Sequence, residues 1–126
     1  LKQHPVSFAR PALDRWRVSK AVEIQNAETF PSGYAVSVAG LVLVRQRPGT
    51  ASGVLFVTLE DETGIANLII WSDTYDQYRR AIRSATLLQA NGIVQRQGQV
   101  IHILARRLID RTSLLHGLRQ GSRDFH

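Results

Sequence analysis

The sequence contains no cysteine, which excludes disulfides and thiolate metal sites. It contains no methionine either and starts at Leu1, so a fragment cut from something longer is the expectation. No apolar run has membrane-spanning length and no signal-peptide pattern is present, so no membrane partner is expected. Histidine is scarce. The residues are His4, His102, His116 and His126, and no two share an element at metal-ligand spacing. Neither metal nor other cofactor is expected. Acids are the minority, 10 against 16 Lys and Arg, which gives a net charge of +6. Of those 16 only Lys2 and Lys20 are lysine.

Catalytic arrangements are also missing. Two-metal nucleotidyl transfer needs carboxylates that converge on ions about 4 Å apart. Glu60, Asp61 and Glu62 are the candidates, but they are adjacent in a turn, and alternation sends neighbours apart. A solvated turn is the expectation there. There is no Gly-rich phosphate loop, and no Ser-His-Asp arrangement that the spacing supports.

What is present is one domain's worth of chain: 126 residues, 44% of them hydrophobic. The arginine excess favours an anionic partner, since the guanidinium fork donates two parallel hydrogen bonds to a phosphate. The rest of the chain is organised around 53–71, which reads as two strands joined by the polar turn Asp61-Glu62-Thr63-Gly64. Alternation puts Leu55, Val57 and Leu59 on one side of the first strand and Phe56, Thr58 and Glu60 on the other. In the second strand Ala66, Leu68 and Ile70 oppose Asn67, Ile69 and Trp71. One face is apolar throughout. The other mixes aromatics with hydrogen-bonding groups, as single-stranded nucleic acid requires for base stacking. The alternative is that Phe56 and Trp71 belong to the core.

The flanks complete the pattern. Pro11 suits a first helical position, giving a short helix over 11–17. Ser19 can cap a second helix over 20–26. Trp16 is expected to pack on the domain that follows. Phe30-Pro-Ser-Gly-Tyr34 is a turn. The stretch 34–47 is a long strand whose Val36, Val38, Val42 and Val44 point inward. Its Gly40 marks a bend or a close backbone approach, and Arg45 and Arg47 are on its outer face. After Trp71 the period changes. Ser72 or Asp73 can cap a helix whose Tyr75, Tyr78 and Ile82 form one stripe. Arg79, Arg80 and Arg83 fall late in that helix, on a solvated face. Strands follow over 86–96 and 99–107, joined by a tight Gln97-Gly98 turn, with His102, Leu104 and Arg106 on one face. Thr112 or Ser113 starts a closing helix over 114–118.

Strand, strand, strand, helix, strand, strand is the order of an OB-fold: an all-β, five-stranded barrel with minor helices, the helix lying between strands three and four. The expected division is a helical lead-in over 1–33, the barrel over 34–111, and a closing helix and tail over 112–126. The binding face of such barrels lies on strands two and three. Here that gives Phe56, Thr58, Asn67 and Trp71, bordered by Arg45 and Arg47. Arg96, His102 and Arg106 on the last two strands complete the candidate nucleic-acid-binding set. No catalytic residue is expected.

The Phe-Val-Thr-Leu-Glu-Asp-Glu-Thr-Gly hairpin and the Val-Gln-Arg-Gln-Gly turn resemble the anticodon-binding type of OB-fold. More closely, Ala39-Gly-Leu-Val-Leu-Val-Arg-Gln-Arg-Pro-Gly-Thr50 and Thr58-Leu-Glu-Asp-Glu-Thr-Gly-Ile-Ala-Asn67 resemble the C-terminal region of error-prone DNA polymerases of the polymerase III α type (C family). His4-Pro5 and the closing Ser122-Arg-Asp-Phe-His126 resemble segments of the same family. The resemblance implies a cytoplasmic domain of a translesion DNA polymerase, a nucleotidyltransferase of damage-induced (SOS) mutagenesis, DNA repair and replication. The polymerase active site would lie outside this chain. The domain would bind single-stranded template DNA without sequence preference, with Phe56 stacking on a base and Asn67 contacting one. Implied partners are an inactive Y-family-like mutasome protein and, through it, the sliding clamp. The alternative is a docking module for that partner, using an apolar strip of Leu41, Leu43, Ile69 and Trp71. An RNA-binding barrel of a tRNA synthetase fits the wording less well.

Overall fold

Strands form where β-branched and apolar residues alternate with polar ones. In the computed structural model, which describes residues 3–47 and 53–116, these are β1 (Ala35–Gln46), β2 (Val54–Glu60), β3 (Ile65–Trp71), β4 (Leu87–Gln97) and β5 (Val100–Asp110). They close into a barrel in the order β1-β2-β3-β5-β4. Among these five strands β3 pairs parallel with β5, and the other pairings are antiparallel. Leu55, Val57, Leu59, Leu68 and Ile70 fill the interior with Val36 and Val38, as their alternation predicts. The expected five-stranded OB barrel is the observed fold. Gly40 is the close approach its position suggested: a Cβ there would lie 2.7 Å from the Glu60 carbonyl oxygen.

β1 does not alternate to its end. Its register against β2 shifts between Val42 and Val44. Leu43 is thus an extra residue in a β-bulge, and everything after it faces the opposite way. Val44, expected inside, is 46% exposed. Arg45 pairs with buried Val57 and turns to the interior side at the barrel mouth.

That mouth is closed by α3 (Ser72–Gln77) and α4 (Arg79–Ser84). One helix was expected, but it breaks at Tyr78, whose φ of −115° and ψ of 25° leave the helical well. β3 runs straight into α3, so Trp71 holds the N-cap and neither Ser72 nor Asp73 can. The break also moves Arg79 and Arg80 to the first turn of α4, leaving only Arg83 in a last turn. Tyr75, Tyr78 and Ile82 pack together on the barrel core, as their spacing predicts.

The lead-in differs more. α1 spans Pro5–Arg15, with Pro5 in the first turn, and Pro11 falls inside the helix on its exposed side. His4 Nδ1 accepts the Val6 amide at 3.1 Å and caps it, so the helix starts well before Pro11. α1 ends in a Schellman turn: the Val18 amide donates to the Leu13 carbonyl and the Arg17 amide to that of Asp14. Val18 and Leu13 then join Val6, Ala9, Ala39 and Leu87 in a second core between α1 and the barrel. Trp16 meets the barrel side at Arg111, whose guanidinium lies 4.0 Å from the ring centroid. α2 is the short Ala21–Ile24, and Ile24 reaches the barrel core. The closing element is a 3₁₀ turn, Thr112–Leu115. Leu118 and the polar tail lie outside the described residues.

The acidic turn is not solvated. Glu60 Oε1 lies 2.8 Å from His4 Nε2, and Arg10 donates from Nε and one NH2 group to Glu62 at 2.6 and 2.9 Å. Asp61, 4% exposed, accepts the Ala21 amide at 2.7 Å on one oxygen. Its other oxygen accepts the Thr63 amide, the Thr63 hydroxyl and the Gly64 amide. Thr63 Oγ1 accepts the Val22 amide. The turn thus caps α2 from outside the helix and clamps α1.

Candidate nucleic-acid interface

Cross-strand partners share a face, so the register defines the outward surface. Phe56 pairs with Ile69, Thr58 with Asn67 and Val54 with Trp71. Ile69 in turn lies opposite Leu104 of β5. The Phe56 and His102 rings are 6.1 Å apart and tilted by 52°. Thr58 Oγ1 donates to Asn67 Oδ1 at 3.2 Å, which leaves the Asn67 NH2 group free to meet a ligand. Trp71 is 50% exposed. Arg106, exposed, follows Leu104 by two residues at the Trp71 end of β5. The face therefore unites Phe56, Thr58, Asn67, Trp71, His102 and Arg106 around an apolar centre of Ile69 and Leu104. Phe56 is half-buried by its neighbours but lies outside the barrel core.

Three expected arginines are engaged elsewhere. Arg45 Nε donates to the Ile82 carbonyl at 2.6 Å, and its NH2 group to that of Ala85 at 2.8 Å. These carbonyls end α4, where a cation also meets the negative end of the helix dipole. The bulge at Leu43 turns Arg45 off the outer face and makes this contact possible. Arg47 lies over the Tyr75 ring, 4.7 Å from its centroid. Arg96 donates to the carbonyls of Phe30 and Ile24 and ties the lead-in to β4. In their place the bulge brings Val44 and Gln46 outward, opposite Thr58 and Phe56. Gln46 is a polar neighbour of the Phe56 ring that strict alternation hides, because nothing in 41–46 marks the extra residue.

The apolar strip weighed for docking is discontinuous. Leu41 packs on the core beneath α1, whereas Leu43 is 48% exposed at the bulge. Ile69 and Trp71 belong to the outward face shared with Phe56.

Residues 36–110 match the family model described as an OB-fold nucleic acid binding domain. Over 125 residues the chain is 47% identical to error-prone DNA polymerase 1 of Rhizobium meliloti, covering 99% of this chain and 11% of that protein. It is 45% identical to error-prone DNA polymerase of Azoarcus sp., covering 100% of this chain and 12% of that protein. The chain thus spans about a tenth of the length of the relatives it matches. Among solved structures, asparaginyl-tRNA synthetase of Pyrococcus horikoshii complexed with asparaginyl-adenylate shares the fold. Its TM-score is 0.61 at 18% identity, over 75% of this chain and 22% of that one. An OBody bound to hen egg-white lysozyme gives 0.57 at 19%, over 75% and 91%.

Proposed function

Because the chain belongs to the family of OB-fold nucleic acid binding domains, we propose that its β2–β3–β5 face holds single-stranded DNA without reading sequence. The observation that carries this is the outward row of Phe56, His102 and Trp71 around Ile69 and Leu104, with Asn67 and Arg106 beside it. Stacking tolerates any base, because each has a π-face, and it contributes roughly 1–3 kcal/mol per base. The identity to error-prone DNA polymerases supports single-stranded template as the ligand and translesion synthesis by a polymerase of that kind as the setting. Nucleotidyl transfer would belong to other parts of such a protein.

The test is anisotropy of a labelled oligothymidylate titrated with the chain at several salt concentrations. Affinity is expected to fall as salt rises, since phosphate contacts release counterions. Phe56→Ala is expected to weaken binding by about five-fold or more, the lower end of the stacking range. Absence of binding by the unmutated chain at low salt would overturn the reading. It would leave the exposed Leu43 and Val44, with Trp71, as a surface for docking a protein partner.

A further inference from the structure

We propose a second nucleotide-binding groove on the opposite side of the barrel, lined by Arg17, Ser37, Asn91, Phe30 and Tyr34. The groove has a volume of about 470 Å³ and lies between the lead-in and strands β1 and β4. That it takes DNA rests on the proposed function; the groove itself rests on separate observations.

The register builds its floor. Ser37 pairs with Asn91 and Asn91 with Arg107, so the three side chains form one outward row across β1, β4 and β5. Asn91 is held in one orientation. Its Oδ1 accepts from Gln89 Nε2 at 2.9 Å, and Gln89 Oε1 accepts from Arg111 Nε at 2.8 Å. The Asn91 NH2 group is left to face the groove as a donor. Arg111 is fixed a second time by its stack on Trp16. The wall is aromatic: Phe30 and Tyr34 meet edge to face, 5.7 Å apart at 89°, and Tyr34 is 50% exposed.

The charge is one-sided. Among the described residues no carboxylate lies within 4.0 Å of Arg17, Arg107 or Arg111. Burial, and then the charge of Arg107, push the Arg111 guanidinium below its ordinary pKa.

Arg17 adds an independent sign. It has a φ of 59° at the C′ position of α1, where glycine avoids the Cβ clash. A strained residue held where a smaller one would fit points to a use for its side chain. A phosphate between Arg17 and Arg107, with its base on Tyr34, would use all these groups. β5 joins the two faces. Arg106 and Arg107 are adjacent on it, one at the Trp71 end of the first face and the other in the row with Asn91. A strand crossing β5 would pass from one face to the other.

The two tryptophans report on the two sides separately. In the full chain, Trp71→Phe leaves Trp16 as reporter of the groove, and Trp16→Phe leaves Trp71 as reporter of the first face. Oligothymidylates of about 6 and 16 nucleotides are titrated into each, a range that brackets single-face and longer occupancy. The longer oligonucleotide is expected to change Trp16 emission. Arg17→Gly is expected to raise the melting midpoint by about 2–5 °C. The same change should weaken binding of the longer oligonucleotide about five-fold and lower its log–log salt slope by about 0.7. A more stable protein that binds less well cannot be explained by misfolding. Trp16 emission unmoved while Trp71 responds, or unchanged binding by Arg17→Gly, overturns the groove and leaves the proposed function standing. Silence of both tryptophans overturns both. A response of Trp16 to polyglutamate but not to DNA overturns the nucleotide assignment.

Discussion

Asp61→Ala is expected to destabilise the protein by about 4 kcal/mol, read as a lower urea midpoint at unchanged slope. The side chain is 2% exposed and lies 3.5 Å from the Arg10 guanidinium, itself only 9% exposed. Removing it leaves the Ala21 amide at the start of α2 and the Thr63 and Gly64 amides without their acceptor. A buried donor left unpaired, as the Ala21 amide would be, costs about 1–3 kcal/mol, and the part-buried Thr63 and Gly64 amides less. The losses do not add fully, because the turn can open to water and Glu62 still pairs with Arg10. A change below about 1 kcal/mol would show that the turn does not hold the lead-in on the barrel. The pH dependence gives a second reading of the same clamp. Burial alone would raise the Glu62 pKa, but the hydrogen bond and charge of Arg10 outweigh it and hold the carboxyl below its ordinary 4.5. A depressed folded-state pKa contributes stability above the unfolded-state value, and that stability is lost as pH falls through the folded value. Stability should therefore decline below about pH 4.5 in the unmutated chain. The decline should be shallower in Arg10→Met, which has no guanidinium to lower the Glu62 pKa.

The barrel was legible in the sequence because its signals are local. Leu55, Val57 and Leu59 alternate without interruption, and their burial follows. Phe56, Thr58, Asn67 and Trp71 share a face for the same reason. What was not legible depends on partners distant in sequence. Arg45 reaches α4 only because a bulge at Leu43 reverses its facing, and a run of alternating Leu and Val fits either register. Arg96 bonds carbonyls in the lead-in, at Phe30 and Ile24. Asp61 looks like an ordinary turn acid until α2 is docked above it. The Pro11 misreading has another cause. Two prolines each suited a helix start, and the one followed by a longer run packing on the barrel, Pro5, prevailed. Arginine-rich sequences thus overstate their binding surface: three of the expected basic contacts support the barrel instead.

With those arginines removed from the face, its affinity should depend mainly on rings. Phe56→Ala/Trp71→Ala is therefore expected to weaken single-stranded DNA binding by about 100-fold, roughly 2–3 kcal/mol in sum. Phe56 lies opposite Ile69, and Trp71 two residues further along β3 opposite Val54, so in the proposed binding mode the two rings would meet different bases. Their effects should add within about 0.5 kcal/mol, as for side chains without a shared partner. Phe56 and His102 are in another position. At 6.1 Å they flank the same space, so one base would contact both and the two truncations should fall short of additivity. Neither Phe56 nor Trp71 belongs to the core that fills the barrel, so the double variant should keep its β-sheet circular dichroism and most of its stability. Anisotropy over the four proteins of each cycle measures the coupling directly. Coupling between Phe56 and Trp71 as strong as that between Phe56 and His102 would mean that a single base occupies the face. The strand would then cross the barrel rather than run along β3.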